Sequence, residues 1–230
     1  GLSNPVVGRT IEDKNGNLWI GTEGGGLNYF NRRTREFKWY RPQEGRNSIS
    51  HNNVKALYYD ADKEIIWIGT HLGGLNRLDI RSGHFTHYRM EDNNRQTLPS
   101  DIVRDIIPYK DLLIVATQNG VCLFDPDSGK CRQLFKDSKE GKSIKMVADI
   151  LLDSEGTLWI AATGEGVFSY RFDTRKLTNY RHDSANPNSL SNNNVNNIMQ
   201  DSQGHLWFST SGSGLDLYLS LIHISEPTRH

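Results

Sequence analysis

One phrase of about 15 residues recurs along this chain and restricts its fold more than any other feature. Three clear copies read DKNGNLWIGTEGGGL at 13–27, DSEGTLWIAATGEGV at 153–167 and DSQGHLWFSTSGSGL at 201–215. Two degenerate copies end at Leu75 and Val121, the latter with Leu113 in place of Trp. The Trp positions 19, 67, 113, 159 and 207 are separated by 48, 46, 46 and 48 residues. Repeats of about 40 to 50 residues are typical of β-propeller blades.

Turn residues divide each copy into four strands, which in the second copy are VKALYYD, EIIWIGT, GLNRLDI and HFTHYR. Asp-rich turns such as DKNG join the first two strands, because Asp accepts backbone hydrogen bonds and Gly adopts positive φ. Segments rich in Asn, Ser and Pro, such as 42–53, lead from the fourth strand into the next copy. Helical periodicity is absent. We therefore predict an all-β fold, a β-propeller fragment of about four and a half blades of four antiparallel strands that is not a closed ring.

The recurring Trp and the Gly pairs each admit a functional and a structural interpretation. A Trp could stack on a ligand, but a large apolar residue in almost every blade is what packing between blades requires. The Gly pairs at 25–26 and 73–74 could cradle a phosphate, but no helix follows them. We predict that the Trp residues build the core and that the Gly pairs bend the chain into the third strand.

Charge and motif content argue against several classes of function. Lys plus Arg and Asp plus Glu both number 27 and no basic run occurs, so neither nucleic acid nor an anionic membrane is an expected partner. The longest apolar run, 112–116, is far shorter than the roughly 20 residues that cross a bilayer. The sequence has no nucleophile motif, metal-ligand spacing or phosphate loop, and its eight His residues are scattered. We predict no catalytic residue, metal or cofactor in this fragment.

Three motifs resemble one known family, the two-component regulator propeller repeats. They are LSNNNVNNIMQDSQGHLWFST at 190–210, GGLN at 25–28 and 73–76, and D-x-x-S-G-x-F-x-x-Y at 79–88, and the resemblance extends over about residues 6–218. The third copy, with Leu113, and the fourth, with Gly166 and Val167, depart furthest from the pattern.

The resemblance implies an extracytoplasmic sensor region of a bacterial hybrid histidine kinase, of the type found in polysaccharide-degrading Bacteroidetes. It further implies a periplasmic location and propellers of seven blades. C-terminal immunoglobulin-like, membrane-spanning and kinase domains would follow, and the parent receptor would be a dimer. By this analogy the chain needs further blades, because both ends of a partial propeller leave blade faces exposed.

Residues 219–230 interrupt the repeat. Their sequence, LSLIHISEPTRH, reads as the translation of a transposon-derived sequencing adaptor. We therefore expect a partial propeller at 1–218 and a foreign tail at 219–230.

The two cysteines, Cys122 and Cys131, flank the DPDSG turn of the third copy. As cross-strand neighbours they could form a disulfide in an oxidising periplasm. Cys131 aligns with the apolar residues Phe37 and Phe85, so both cysteines could equally be reduced core residues. The sequence leaves the two states open.

A ligand-binding surface is predicted at one end of the blades. The connections from the second to the third strand, and from the fourth strand to the next blade, leave a blade at the end opposite its Asp-rich turns. At that end the scaffold repeats while the residue after the repeated Thr varies, as Glu23, His71, Gln118, Gly164 and Ser211. The same end collects other polar residues, namely Arg41, Arg89 and Arg181 after fourth strands and His51, Asn52, Asn53, Asp101, Asn193 and Asn194 before first strands.

Amides, carboxylates and Arg side chains suit sugar hydroxyls and uronate carboxylates. We therefore predict an oligosaccharide ligand, with Glu23, His71, Gln118 and Arg89 as leading contacts. Exposed tips that vary without any function are the alternative. A glycan-acting hydrolase or lyase and a protein-interaction scaffold are the other functions that the sequence leaves open.

The first strands carry a second polar set. Aligned as VGRT, VKAL, VRDI, VADI and VNNI, they place polar residues between two apolar positions. Because first strands lie nearest a propeller axis, these residues are expected near a hydrated channel. They are Arg9, Lys55, Arg104, Asp105, Asp149, Asn196 and Asn197.

Overall fold

A computed structural model describes residues 1–136, 138 and 140–218, and it confirms the all-β propeller fragment. Consecutive strands form five antiparallel sheets, four of four strands and one of three, so each sheet is one blade. The helical content of the described residues is a single 3-10 turn, Glu140–Ser143.

The strands of blades 1 to 3 are β1 Val7–Glu12, β2 Leu18–Thr22, β3 Gly26–Asn31, β4 Glu36–Tyr40, β5 Val54–Asp60, β6 Ile65–Thr70, β7 Leu75–Asp79, β8 Phe85–Tyr88, β9 Val103–Tyr109, β10 Leu112–Thr117, β11 Gly120–Phe124 and β12 Cys131–Gln133. The strands of blades 4 and 5 are β13 Val147–Leu152, β14 Thr157–Ala162, β15 Gly166–Arg171, β16 Lys176–Tyr180, β17 Val195–Gln200, β18 Leu206–Thr210 and β19 Gly214–Tyr218.

The chain divides into two compact units at Ala148 and Asp149. The first unit contains blades 1 to 3. The second contains blade 5 and all but the first two residues of blade 4.

In the first unit, neighbouring blades stack through a Val of one first strand and a Gly of the previous second strand. A Cβ atom on Gly21 would lie 2.6 Å from Cγ1 of Val54, and one on Gly69 would lie 2.6 Å from Cγ1 of Val103. Both Val side chains are fully buried. The Gly of the repeated IGT is therefore required by the neighbouring blade, because any side chain there would displace the Val.

The Trp residues have the predicted packing role. Trp19, Trp67 and Trp159 are buried, and Trp67 makes an edge contact with Phe124 of the next blade at 5.4 Å between ring centroids. The predicted bends are present as well. Gly26 and Gly74 have φ of +80° and +73°, and a Cβ on Gly26 would lie 2.2 Å from the carbonyl oxygen of Tyr40.

The pairing of the first two strands is interrupted by a register shift in blades 1, 2, 3 and 5. In blades 2, 3 and 5 the extra residues are Lys55, Arg104 and Asn196, all from the predicted channel set. Arg9 of blade 1 lies 3.4 Å from Asp105 of blade 3, so first strands of different blades approach one another.

Two members of the predicted channel set, Asp105 and Asp149, are buried, with 6% and 4% of their surface exposed. Asp149 accepts a 2.8 Å hydrogen bond from the backbone N–H of Ile198. A buried carboxylate needs such a partner, and here the bond joins two first strands.

Cys122 and Cys131 are buried free thiols whose Sγ atoms lie 2.9 Å apart. Cys122 pairs with Gln133 and Cys131 with Phe124, so the cysteines are diagonal neighbours in the sheet. Burial raises the pKa of the Cys122 thiol, with a further contribution from Cys131.

The expectation for residues 219–230 lies outside the described residues. Within the described part of the chain, no helix has the length and hydrophobicity to cross a membrane.

Candidate functional site

The tips of the turns between second and third strands share one backbone hydrogen bond. The residue after the second strand donates its N–H to the carbonyl of the residue before the first strand. The pairs are Glu23 to Val6 at 3.0 Å, His71 to Asn53 at 2.9 Å, Gln118 to Ile102 at 3.0 Å and Ser211 to Asn194 at 2.8 Å. Four of the five predicted tip residues therefore occupy equivalent positions.

The predicted tip of blade 4 is wrong by one residue. Ala162 pairs with Gly166, just as Thr22 pairs with Gly26, so the residue after the second strand is Thr163. Gly164, with φ of +80°, matches Gly24, with φ of +88°. The Thr that ends the second strand in the other blades lies in the turn of blade 4, because this strand ends at Ala162.

A hydrogen-bonded clamp holds the segment that leads into blades 1, 2 and 5, and sequence reasoning missed it. In blade 2 the Ser50 N–H donates to Oδ1 of Asn76 at 2.8 Å, Nδ2 of Asn76 donates to Oγ of Ser50 at 2.8 Å, and Ser50 Oγ donates to the Gly73 carbonyl at 2.9 Å. Ser3 and Asn28 repeat the arrangement in blade 1. In blade 5 Oδ2 of Asp216 accepts from both the N–H and the Oγ of Ser191, at 2.9 and 3.0 Å. Its signal was a Ser four residues before each first strand, about 25 residues ahead of an Asn or Asp.

We call the turn tips Glu23, His71 and Gln118, with the segments 41–53 and 89–102, the loop face of the first unit. At its centre Glu23 forms an ion pair with Lys55 of the next blade. The hydrogen bond and charge of Lys55 lower the pKa of the Glu23 carboxyl, and His71 and Arg104 contribute smaller charge effects. Glu23 is therefore an ionised carboxylate among cationic groups.

A pair of histidines lies beside this carboxylate. The rings of His51 and His71 meet edge to face, with 6.3 Å between centroids. Nδ1 of His51 accepts a 3.0 Å bond from the N–H of Asn53, whereas Nδ1 of His71 is buried and has no hydrogen-bond partner among the residues that the structure describes. The pKa of His51 is lowered, chiefly by burial and further by the charges of His71 and Arg89. Both histidines are half-buried.

Arg89 stabilises the turn between the second and third strands of blade 2. Its Nε and Nη2 atoms donate to Oδ2 of Asp101 at 3.1 and 2.8 Å, and Nη2 donates to the Leu72 carbonyl at 2.9 Å. Leu72 has φ of +75° at a position where blades 1, 4 and 5 have Gly, and 54% of it is exposed. A bulky residue in this conformation is strained, and such strain is concentrated at functional sites.

The other predicted residues are placed as follows. Arg41 lies over the Trp39 ring at 5.6 Å. Asn52 is exposed, and its carbonyl accepts a 2.7 Å bond from the N–H of Gly26. Gln118 is fixed through its backbone and has no side-chain hydrogen bond within the described residues. In the second unit, Oδ1 of Asn193 accepts from the His182 N–H at 2.8 Å, and Arg181 pairs with Glu165.

The structure therefore brings His51, His71 and Glu23 together with Lys55 and Arg104, which the sequence had assigned only to the channel. Gln118 lies on the same face, and its hydrogen bonds to Ile102 and Met146 are made by its backbone. Carboxylate, imidazole, ammonium and guanidinium groups arranged in this way can bind hydroxyl and acidic groups by several hydrogen bonds at once.

The sequence profile described as "Two component regulator propeller" matches residues 1–24, 48–71 and 189–212. This confirms the resemblance inferred from the repeated motifs. Each match covers the leading segment and the first two strands of blade 1, 2 or 5. The unmatched blades 3 and 4 are the two that depart furthest from the motif. No curated protein sequence matches the chain.

Several solved structures share the fold. The extracellular domain of BT4673 from B. thetaiotaomicron, assigned to the hybrid two component systems, aligns with 92% of this chain at 22% identity and a TM-score of 0.74. The corresponding domain of BT3049 aligns with 94% at 22% identity and a TM-score of 0.55. PorZ of Porphyromonas gingivalis, a surface component of the type-IX secretion system, aligns with 92% at 18% identity and a TM-score of 0.65. The chain spans only 27%, 40% and 32% of these three proteins.

Proposed function

We propose that this chain is a ligand-sensing propeller module of an extracytoplasmic two-component hybrid sensor, and that it binds a glycan fragment at the loop face. The observation that carries the proposal is the match of three repeats to the two component regulator propeller family. Two of the solved relatives are extracellular domains of such systems, which supports a location outside the cytoplasm, in the periplasm.

The loop face is the favoured binding surface because its scaffold is constant and its tips vary. One backbone bond fixes Glu23, His71 and Gln118 in equivalent places, yet their side chains are a carboxylate, an imidazole and an amide. Equivalent loops with different side chains on a rigid sheet are a common form of binding surface. The strained Leu72 and the orphaned Nδ1 of His71 lie in the same turn, which supports a functional role for it.

Recognition without bond cleavage is the chemistry that these residues favour. The ion pair with Lys55 keeps Glu23 ionised, and the ion pair with Asp101 fixes the position of Arg89. Both side chains therefore present hydrogen-bonding groups to sugar hydroxyls in fixed positions. We assign no catalytic step to this module. Signalling across the membrane would depend on C-terminal domains of a longer, dimeric parent protein.

Further blades of the parent chain are proposed partners. Val7 of blade 1 is 45% exposed, whereas Val54, Val103 and Val195, at the same position of blades 2, 3 and 5, are fully buried. In blades 2 and 3 that Val is buried against a Gly of the preceding blade. The exposed Val7 is therefore shaped to receive a preceding blade whose second strand has Gly at the same position.

Calorimetry tests the proposed function directly. The chain is titrated with a panel of neutral, uronic-acid and sulfated oligosaccharides, and the ligand found is then titrated into a variant with Glu23, His71, Gln118 and Arg89 changed to Ala. A matched variant carries Arg33→Ala, Asp62→Ala and Lys63→Ala, three exposed residues in the hairpin turns at the opposite end of the blades.

The proposal predicts that the loop-face variant loses binding while the hairpin variant keeps wild-type affinity. Equal affinity in both variants, with thermal unfolding confirming that both are folded, would place the ligand away from this patch. Absence of any bound oligosaccharide in the whole panel would contradict glycan sensing.

A further inference from the structure

At the loop face, blade 3 differs from the repeat because the turn between its second and third strands is shorter than in the other blades. Thr117 pairs with Gly120, so two residues form the turn, whereas Thr22 pairs with Gly26 and three residues lie between them. Blades 4 and 5 also have the three-residue turn, from Ala162 to Gly166 and from Thr210 to Gly214. The tip of blade 3 therefore fills less space than the others.

The clamp is also missing from blade 3. Pro99 stands where blade 2 has Ser50, and Cys122 stands where blade 2 has Asn76. Proline has no N–H to donate, and a buried Cys offers only a weak acceptor, so the reciprocal bonds cannot form. The leading segment of blade 3 therefore lacks the clamp, although the Gln118 N–H still donates to the Ile102 carbonyl at 3.0 Å.

A groove of about 690 Å³ lies at this departure from the repeat. Its floor is formed by Leu98, Val121 and Ile144, all almost fully buried. Its lining also includes residues 90–95, Gln133, Leu134, Lys136, Gly141, Lys142 and Lys145. Volumes of roughly 300 to 1,000 Å³ are typical of small-molecule sites.

Charged side chains of both signs line the groove, with cations in excess. The lining includes the cations Arg95, Lys136, Lys142 and Lys145 and the carboxylates Glu91 and Asp92. All four cations are exposed, and none makes an ion pair within the described residues. Glu91 is partly satisfied by a 2.8 Å bond from Nδ2 of Asn94. The cationic groups are thus the ones with unused hydrogen-bonding capacity.

The remaining lining suits a carbohydrate. Asn119 and Gln133 supply amides that can both donate and accept, as sugar hydroxyls require. Met90, 42% exposed, and the half-buried Pro99 and Leu134 offer apolar surface for the CH groups of a sugar ring.

We propose that the groove over blade 3 binds an acidic oligosaccharide, whose carboxylate or sulfate groups lie against Arg95, Lys142 and Lys145. The inference rests on the proposed function in taking a glycan as the ligand. It adds the acidic class of that glycan and a second place of contact, separate from the Glu23 and His71 patch.

The test uses oligogalacturonate, a carrageenan oligosaccharide that carries sulfate but no carboxylate, and a neutral galacto-oligosaccharide as calorimetric probes of the 230-residue chain and its variants. The double variant Lys142→Ala and Lys145→Ala removes two groove cations, and Lys63→Ala with Lys130→Ala removes two exposed cations outside the groove. Comparison of the first two probes separates carboxylate from sulfate recognition. Thermal unfolding of each variant checks that it is folded.

The proposal predicts binding of at least one acidic probe, weakened roughly tenfold in the groove variant and unchanged in the control. Added salt should weaken that binding, since exposed charges are screened. Tight binding of the neutral probe alone would overturn the inference, and so would an acidic probe that binds the wild type and the groove variant with equal affinity. Either result would leave the proposed function standing. A folded chain that binds none of the probes, nor any glycan of the wider panel, contradicts both.

Discussion

The indole N–H of Trp159 donates a 2.7 Å hydrogen bond to Oδ2 of Asp153, across the turn that joins the first two strands of blade 4. Oδ1 of the same carboxylate accepts the backbone N–H groups of Glu155 and Thr157, at 3.0 and 2.8 Å. Trp207 with Asp201, and Trp19 with Asp13, repeat the arrangement at 2.9 and 3.3 Å. One Asp therefore ties the turn to the buried ring, which explains why the phrase keeps both residues.

Removing this carboxylate should destabilise blade 4. Asp153→Ala leaves two backbone donors and the indole N–H without their acceptor, and we expect the free energy of unfolding to fall by about 1–3 kcal/mol. Trp159→Phe deletes one hydrogen bond and part of the packing, so it should also destabilise. Urea denaturation measures both. Asp62→Ala, in the exposed turn of blade 2, is the matched control and should have almost no effect; equal losses in control and test would refute the role of the turn.

Acid should weaken the same turn of blade 5. The pKa of Asp201 is lowered to about 2, chiefly by the hydrogen bond from Trp207 and then by the N–H groups of His205 and Gln203. The ordinary value is about 3.9, so the unfolded chain binds the proton more readily. This contribution to stability is therefore fully present above about pH 4 and is lost as the pH falls towards 2.

The measurement is the urea midpoint at pH 6 and at pH 3, in the wild type and in Asp201→Asn. The wild type should lose more stability between the two pH values than the variant, because the amide does not titrate. Asp62→Asn, an exposed carboxyl in another hairpin, should behave as the wild type does. An identical acid response in wild type and Asp201→Asn would show that the carboxylate is not coupled to folding.

The period and the turn residues were sufficient to predict the blades, because each blade repeats the same physical requirement. Trp19 and Trp67 fill the space between sheets, and Gly26 must adopt positive φ against the Tyr40 carbonyl. Such constraints act within about 50 residues and leave a visible spacing. The positions of Glu23, His71, Gln118 and Ser211 followed from it.

Contacts between blades could not be predicted from the spacing of the repeat. The pair of Glu23 and Lys55 joins different blades, and the bulge that admits Lys55 depends on register. The end of the second strand of blade 4 was misplaced by one residue, because the sequence does not show whether Ala162 or Thr163 pairs with Gly166. The groove over blade 3 lies where Pro99 and Cys122 replace the Ser and Asn of the clamp. This difference becomes visible only when blade 3 is compared with blade 2, whose clamp is intact.

The clamp should be a main source of stability for blade 2. Asn76 is fully buried, and Asn76→Ala removes the acceptor of the Ser50 N–H and the donor to Ser50 Oγ. We expect a loss of about 1–3 kcal/mol in the free energy of unfolding, since buried polar groups are left unpaired. Chemical denaturation measures it. Asn179→Ala, an exposed amide on β16, is the control. Equal stability of the two variants would show that the clamp is dispensable.

Leu72 offers a substitution that should stabilise the protein. Its φ of +75° is costly for an L-residue and free for Gly, whereas Gly adds entropy to the unfolded chain. We expect Leu72→Gly to raise the free energy of unfolding by about 0.5–1 kcal/mol, the net of the two effects. Thermal unfolding compares it with Met90→Gly, an exposed apolar residue with no positive φ. A destabilised Leu72→Gly would mean that the side chain is held by packing.

The loop face as the ligand-binding surface is the central claim, and hydrogen–deuterium exchange with and without the bound oligosaccharide tests it most directly. The account predicts slower amide exchange in the turns and segments of the loop face, including 22–26, 70–74 and 89–102. Exchange in the opposite hairpin turns at 13–17, 31–35 and 60–64 should be unchanged. Protection confined to those hairpin turns, with the loop face unaffected, would contradict the account.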